Sequence, residues 1–201
     1  MGARSKILNN PCFFRIFNFL VADKHSRTEF VANYILPKKG DRVLDIGCGF
    51  GDIIEYLPDV DYMGFDSNRK YINAAKKRYP KRGTFSLQEI SREMIGLYTD
   101  FDIALAIGVL HHLPDETALI LFELAKWALK PTGRLVTIDG CFMENQSKIA
   151  QFLLKKDRGD FVRTQDAYLS LASLVFKNIK VHIRKDLLRV PYTHIIMECS
   201  W

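Results

Sequence analysis

The sequence of 201 residues predicts an α/β fold, with a mostly parallel sheet covered by helices on both faces. Three observations carry this. Short apolar runs alternate with stretches of helical apolar spacing, the pattern of strand–helix–strand units. Residues 42–46, 101–107 and 134–139 are apolar almost throughout, as strands buried on both sides are. The first of these runs leads straight into a glycine-rich turn, Gly47-Cys48-Gly49-Phe50-Gly51.

Each element follows from local signals. Residues 11–35 read as helical, with apolar patches at 13–20 and 30–35 around the polar segment 23–27. A turn at 37–41 precedes the first strand, and Pro58 stops the short helix after the glycine turn. Residues 62–66 form the second strand, and Ser67 is the expected N-cap of a helix ended by the breakers at 80–83. A short third strand covers 84–88, and the fourth covers 101–107. A helix over 117–129 stops at Pro131-Thr132-Gly133 before the fifth strand, and Met94, Trp127 and Met143 read as core. Residues 145–176 are helical in two pieces around 157–160. Residues 179–184 and 194–199 are two strands with no helix between them, which predicts an antiparallel edge hairpin. The expectation is one domain with a seven-stranded sheet. A helical lid spans 1–36, a ligand-binding core 37–140, a helical substrate-side insert 141–178 and a closing hairpin 179–201.

Composition narrows the class. A content of 48% hydrophobic and 12% aromatic residues is that of an ordinary globular protein. The net charge of +6 is a mild excess that permits an acidic partner and requires none. Cys12, Cys48, Cys141 and Cys199 form no C-x-x-C pair, and no histidine cluster has zinc spacing, so neither a disulfide framework nor a metal centre is expected. The apolar run 12–21 is interrupted by Arg15 and Asn18 and is too short to span a bilayer. It also lacks a clean cleavage site, so the expected location is cytoplasmic.

The glycine turn carries the chemistry. Strand, glycine turn and helix together place backbone N–H groups at the ligand-binding edge of a Rossmann-like three-layer sandwich. A dinucleotide site has the spacing G-x-G-x-x-G, whereas here Asp52 stands at the last glycine position. Asp45 ends the strand before the turn, where a carboxylate repels a pyrophosphate and suits the ammonium of a methionine group. The charge pattern therefore favours S-adenosylmethionine. Asp66 stands twenty-one positions after Asp45 at the end of the second strand, where an acid accepts hydrogen bonds from ribose hydroxyls.

With these residues the chain resembles the class I S-adenosylmethionine-dependent methyltransferases, specifically the small type 11/12 group. VLDIGCGFG resembles their first motif and YMGFDSN their ribose-binding strand end. FDIALAIGVLHHLPD and LKPTGRLVTIDG resemble their fourth- and fifth-strand motifs. The likeness covers roughly residues 28–140. It implies that Asp45, Gly47, Cys48 and Gly49 line the methionine end of the cofactor, and that Asp66 holds the ribose with Ser67 beside it. Glu89 and Ile90 stand where the family often has Asp and a small residue at the adenine, and Glu89 is the longer acid. Ile107 and Gly108 would pass their backbone close to the cofactor.

Methyl transfer from a sulfonium needs proximity and alignment, and a base only where the acceptor must lose a proton. His111 and His112, just past the fourth strand, are the candidates. The segment Ile107-Gly108-Val109-Leu110 replaces the Asn/Asp-Pro-Pro-aromatic signature of enzymes that methylate base amino groups, which argues against nucleic acid. The basic cluster Lys76-Lys77-Arg78 suits a helix C-terminus. Arg158, Arg163 and Tyr192 are expected to meet a small-molecule acceptor, anionic or lipid-like. With Lys6, Arg15 and Lys24 nearby, the aromatic N-terminal helix is a candidate peripheral membrane contact. The alternatives are an RNA-modifying methyltransferase and a non-catalytic S-adenosylmethionine-binding protein.

Overall fold

The computed structural model describes residues 24–156 and 159–201. Helix α1 (Lys24–Phe30) continues into a π-helical turn, Val31–Ile35. There follow β1 (Arg42–Ile46), β2 (Asp61–Asp66), α2 (Arg69–Arg78), β3 (Gly83–Leu87), β4 (Phe101–Ile107) and α3 (Asp115–Ala128). The chain closes with β5 (Leu129–Phe142), α4 (Lys148–Lys156), β6 (Arg163–Thr164), α5 (Gln165–Ser173), β7 (Asn178–Arg184) and β8 (His194–Ser200). The short helix after the glycine turn is a 3-10 helix, Asp52–Tyr56.

Seven strands run in the order β3-β2-β1-β4-β5-β8-β7, and the two-residue β6 pairs with β5 off this path. Strands β1 to β5 pair in parallel, while β8 runs antiparallel to both β5 and β7. The order reverses between β1 and β4, and in a sheet of this kind the crevice at that point is where ligands bind. The expected hairpin is present, with β8 inside and β7 at the edge.

Alternating side chains feed two cores. Leu44 and Ile46 of β1 join the cluster under α3 and α5, which includes Leu121, Phe122, Tyr168 and Phe176. Val43 joins the opposite cluster, with Phe30, Ile35, Ile54, Tyr62 and Ile72. Helix α1 is fastened to this second face by Arg184, which donates to Glu29 at 2.8 Å and to the Tyr34 hydroxyl at 2.9 Å. Of the expected lid over 1–36, only the part from Lys24 onward is described, and that part packs on the sheet.

Beyond shifts of a few residues at element ends and the strand β6 inside a stretch read as helical, three details differ from the sequence reading. Strand β5 begins at Leu129 rather than 134, because a register irregularity pairs Leu129 with Phe101 and Arg134 with Ile103. The chain thereby carries Pro131 and Gly133 through as a bulge. The N-cap of α2 is Asn68, whose side chain accepts from Lys70 N–H at 3.0 Å, and Ser67 lies one residue outside. Trp127 is 66% exposed, because the buried stripe of α3 runs through Ala118, Leu121, Phe122, Leu124, Ala125 and Ala128 and leaves it on the far side. Met94 is buried as expected, and Met143 packs against the same core. Among the described residues, no helix is long and apolar enough to cross a membrane.

Candidate active site

Two groups of residues meet at the C-terminal edge of the sheet. The first surrounds the glycine turn. Gly47 adopts φ +73°, and a Cβ there would stand 2.7 Å from Val109 Cγ2, so only glycine fits. Gly49 adopts φ +54° with nothing within 4 Å of its Cβ position, which leaves room for a ligand against the backbone. The turn is tied to β2 by Gly47 and Cys48 N–H groups donating to Phe65 O at 2.8 and 2.9 Å.

Asp66 sits at the junction. One carboxylate oxygen accepts from Gly49 N–H at 3.0 Å and the other from Asn68 N–H at 2.7 Å, so the chain itself orients the carboxylate. Partial burial raises its pKa, and these two hydrogen bonds oppose the rise. Ser67 is exposed beside it. Beyond β3, Glu89 is exposed and Ile90 packs against the core. Ile107 ends β4, and Gly108 turns at φ +67° with its N–H donating to Ile138 O at 2.7 Å.

Asp45 is buried at the end of β1. Its Oδ2 accepts from the Tyr62 hydroxyl, and its Oδ1 has no hydrogen-bond partner. Burial pushes the carboxyl up to about 7, the Tyr62 bond works against this, and Asp66 adds to it. A buried acceptor with one empty oxygen is costly by itself and is satisfied by an incoming cation. The Cys48 side chain packs on Gly64, where a Cβ would stand 2.9 Å from its Sγ. Burial, Asp45 and Asp66 all raise that thiol, so Cys48 presents its backbone rather than a reactive sulfur.

The second group surrounds His111. A 3-10 turn, Leu110–His112, follows β4 and directs the His111 ring at Asp139 on β5. His111 Nδ1 lies 2.7 Å from Asp139 Oδ1, and His111 N–H donates to the same oxygen at 3.1 Å. Asp139 is fully buried and its Oδ2 has no hydrogen-bond partner. Burial raises its pKa, and the His111 contacts oppose that. His111 is 8% exposed, whereas His112 is on the surface with its ring 4.1 Å from the His111 ring. The structure thus separates two histidines that the sequence left equivalent.

Residues 159–163 close over this pair. Gly159 packs directly on the His111 ring and backbone, where any Cβ would collide, and Phe161 N–H donates to His111 O at 3.0 Å. Arg163 corrects the expectation of an anion contact. It is 8% exposed, and its guanidinium donates to Leu110 O, Phe161 O, Leu113 O and the Asp115 carboxylate at 2.6–3.0 Å. With its donors occupied inside the protein, it clamps the turn that carries His111. Arg158 lies outside the described residues. Tyr192 packs its hydroxyl on Gly140 and its ring 4.8 Å from the His194 ring, at the edge where β5 meets β8. Tyr168 donates to Gly140 O at 3.0 Å.

Sequence reasoning missed Tyr62, the clamp at Arg163 and the packing of Gly159. Tyr62 carried a readable signal: a tyrosine within a buried strand needs a partner for its hydroxyl. The other two carried none, since both depend on contacts far apart in the chain.

A mostly parallel sheet of this order, with a glycine turn after β1 and an acid at the end of β2, defines a Rossmann-like methyltransferase fold. A family model described as "Methyltransferase domain" matches residues 37–185, and the chain belongs to that family of S-adenosylmethionine-dependent methyltransferases. Curated relatives include a 27-O-demethylrifamycin SV methyltransferase of Amycolatopsis mediterranei, 33% identical over 119 residues covering 56% of this chain and 43% of the relative. A ubiquinone biosynthesis O-methyltransferase of Paraburkholderia phymatum is 32% identical over 99 residues, covering 47% and 42%. The chain spans less than half the length of these relatives. Among solved structures, a TehB-like SAM-dependent methyltransferase of Corynebacterium glutamicum superposes with a TM-score of 0.70 at 17% identity, covering 98% of this chain and 100% of that one. This last likeness is one of fold.

Proposed function

We propose that the protein transfers the methyl group of S-adenosylmethionine to a hydroxyl of a small anionic or lipid-like acceptor, releasing S-adenosylhomocysteine. The observation that carries this reading is the buried 2.7 Å pairing of His111 with Asp139 at the same sheet edge as the glycine turn. When bound, the cofactor supplies a methyl group already activated by a positive sulfur. Asp45 offers its open carboxylate oxygen to the ammonium, and the backbone of Gly47, Cys48 and Gly49 borders the methionine portion. Asp66 accepts from the ribose hydroxyls, beside Ser67. Glu89 and Ile90 border the adenine, and Ile107 and Gly108 pass their backbone alongside.

His111 takes the hydroxyl proton of the acceptor. Asp139 fixes the ring orientation and stabilises the imidazolium that forms. His112 is a surface neighbour of this pair. Tyr192 lines the acceptor side, and Arg158 is the candidate cation for an acidic acceptor group. An oxygen acceptor fits two of the curated relatives, one named an O-methyltransferase and the other a methyltransferase of 27-O-demethylrifamycin SV, while others are named phosphoethanolamine N-methyltransferase and cyclopropane-fatty-acyl-phospholipid synthase. It is supported also by the presence of a positioned base, which proton loss from a hydroxyl requires.

Melting curves with S-adenosylhomocysteine, S-adenosylmethionine and a nicotinamide dinucleotide test the cofactor half. A ligand at a hundred times its dissociation constant stabilises by about 2.7 kcal/mol. The expected result is stabilisation by the adenosyl ligands alone, abolished in Asp66→Ala. Stabilisation by the dinucleotide alone would overturn the reading.

A further inference from the structure

Helix α4 carries two unlike faces. Ala150 and Leu154 are buried, and Leu154 packs on Gly140, the neighbour of Asp139 on β5. On the opposite flank Ile149 is 60% exposed and Phe152, one turn further, is 59% exposed. Phe161, in the turn at 160–161, is 39% exposed. Lys148, Lys155 and Lys156 are exposed along the same helix, which contains no carboxylate; in the sequence Glu144 precedes it, and Asp157 and Asp160, with Arg158 between them, follow it.

From this arrangement we propose that the Ile149–Phe152 face of α4 docks the protein on an anionic lipid surface. Large apolar side chains flanked by lysines are the makings of a helix lying in a membrane interface. The rings and aliphatic groups enter the acyl boundary, and the ammonium groups stay at the level of the anionic headgroups. A protein partner fits less well. Nine residues of helix extend about 14 Å, and at a helix width of about 10 Å one face offers only about 140 Å², far short of the roughly 800 Å² per side that a stable protein interface buries. The exposed Lys148, Lys155 and Lys156, with no carboxylate on the helix, add charge complementarity to an anionic surface. Leu154 ties the docking helix to the strand that holds Asp139, so a docked molecule has its acceptor side mechanically linked to the lipid surface. The proposal goes beyond the methyl-transfer reading and does not depend on it. It also places the contact on a different element from the aromatic N-terminal segment that the sequence singled out.

The test is co-sedimentation of the full chain with vesicles of phosphatidylcholine alone or mixed equally with phosphatidylglycerol, at low and high salt. The expected result is association with the mixed vesicles only, weakened by salt. In Ile149→Asp/Phe152→Asp the association should fall about tenfold or more, and in Lys148→Glu/Lys155→Glu/Lys156→Glu it should be lost. All these side chains are exposed, so the variants should keep the wild-type melting temperature and its shift with S-adenosylhomocysteine. Retention of that shift separates failure of docking from failure of the cofactor reading. Absence of wild-type association with the mixed vesicles would overturn the proposal. So would association that survives the apolar pair variant, since another segment would then carry it. A face that instead joins two copies of the chain, seen as a dimer that the pair variant converts to monomer, would overturn it as well.

Discussion

The two halves of the candidate site are built in different ways. The glycine-turn half is made of backbone: turn N–H groups, left-handed glycines and a carboxylate held by N–H donors from Gly49 and Asn68. The His111 half is made of side chains that meet from distant parts of the sequence. His111 pairs with Asp139 across 28 residues, and Arg163 reaches Leu110 across 53. The first half constrains residue types at fixed spacing, whereas the second constrains only a three-dimensional arrangement. A cofactor common to a family suits the first construction, and an acceptor particular to each member suits the second.

The largest expected effect breaks the second half while sparing the first. With His111 replaced by Gln, or Asp139 by Asn, S-adenosylhomocysteine release in the presence of a panel of anionic and lipid-like hydroxyl acceptors should fall by about 10²–10⁴-fold. The melting shift with S-adenosylhomocysteine should persist in both variants. The double variant should be little worse than either single one, since the two residues act as a unit. His112→Gln is the internal control and should stay near wild type. Equal losses at both histidines would remove the distinction that the Asp139 contact makes between them.

How much was legible follows from the same contrast. Strand β4 was read to the residue, because a seven-residue apolar run buried on both faces can be little else. Asp45, Gly47, Gly49 and Asp66 were legible because each is bound to a strand end or a turn whose position the pattern fixes. The N-cap slipped from Ser67 to Asn68 because both residue types cap, and only the Lys70 contact separates them. Trp127 looked like core because large aromatics usually are; helix rotation decided otherwise. Arg163 looked like a loop arginine awaiting an anion. Two of its three carbonyl partners, Leu110 O and Leu113 O, lie in a turn some fifty residues upstream, and nothing local announces them.

An intermediate effect sharpens that last point. A substrate arginine and a clamp arginine fail differently. Loss of a buried, multiply bonded cation leaves several carbonyls without donors and costs about 1.5–3 kcal/mol per charged hydrogen-bonded group lost. Arg163→Met should therefore lower the melting temperature by several degrees, read by calorimetry at one pH. Arg163→Lys should recover only part of the loss, because a single ammonium cannot replace a planar fork that serves four backbone and side-chain oxygens. A variant with unchanged melting and a raised acceptor KM alone would return Arg163 to the substrate role.

The smallest expected effect probes the backbone-built half through its one buried acid. The Asp45 carboxyl is pushed up to about 7 by burial, with Asp66 nearby adding to the rise and the Tyr62 hydroxyl opposing it. Its folded value thus lies above the unfolded one of about 3.9. Such an acid keeps its proton longer in the folded state, so the ligand-free protein should lose stability as pH rises from about 4 to 7. Cofactor binding should run the other way, because only the ionised carboxylate attracts an ammonium. Between pH 6 and 8 the affinity for S-adenosylhomocysteine should increase about tenfold, as measured by calorimetric titration. Asp45→Asn should flatten the profile at the weak end. Tyr62→Phe removes the hydrogen bond that holds the pKa down, so its midpoint should move to higher pH. A midpoint that stays put in Tyr62→Phe would mean that the titrating group is another residue at the turn, with Asp66 the nearest candidate.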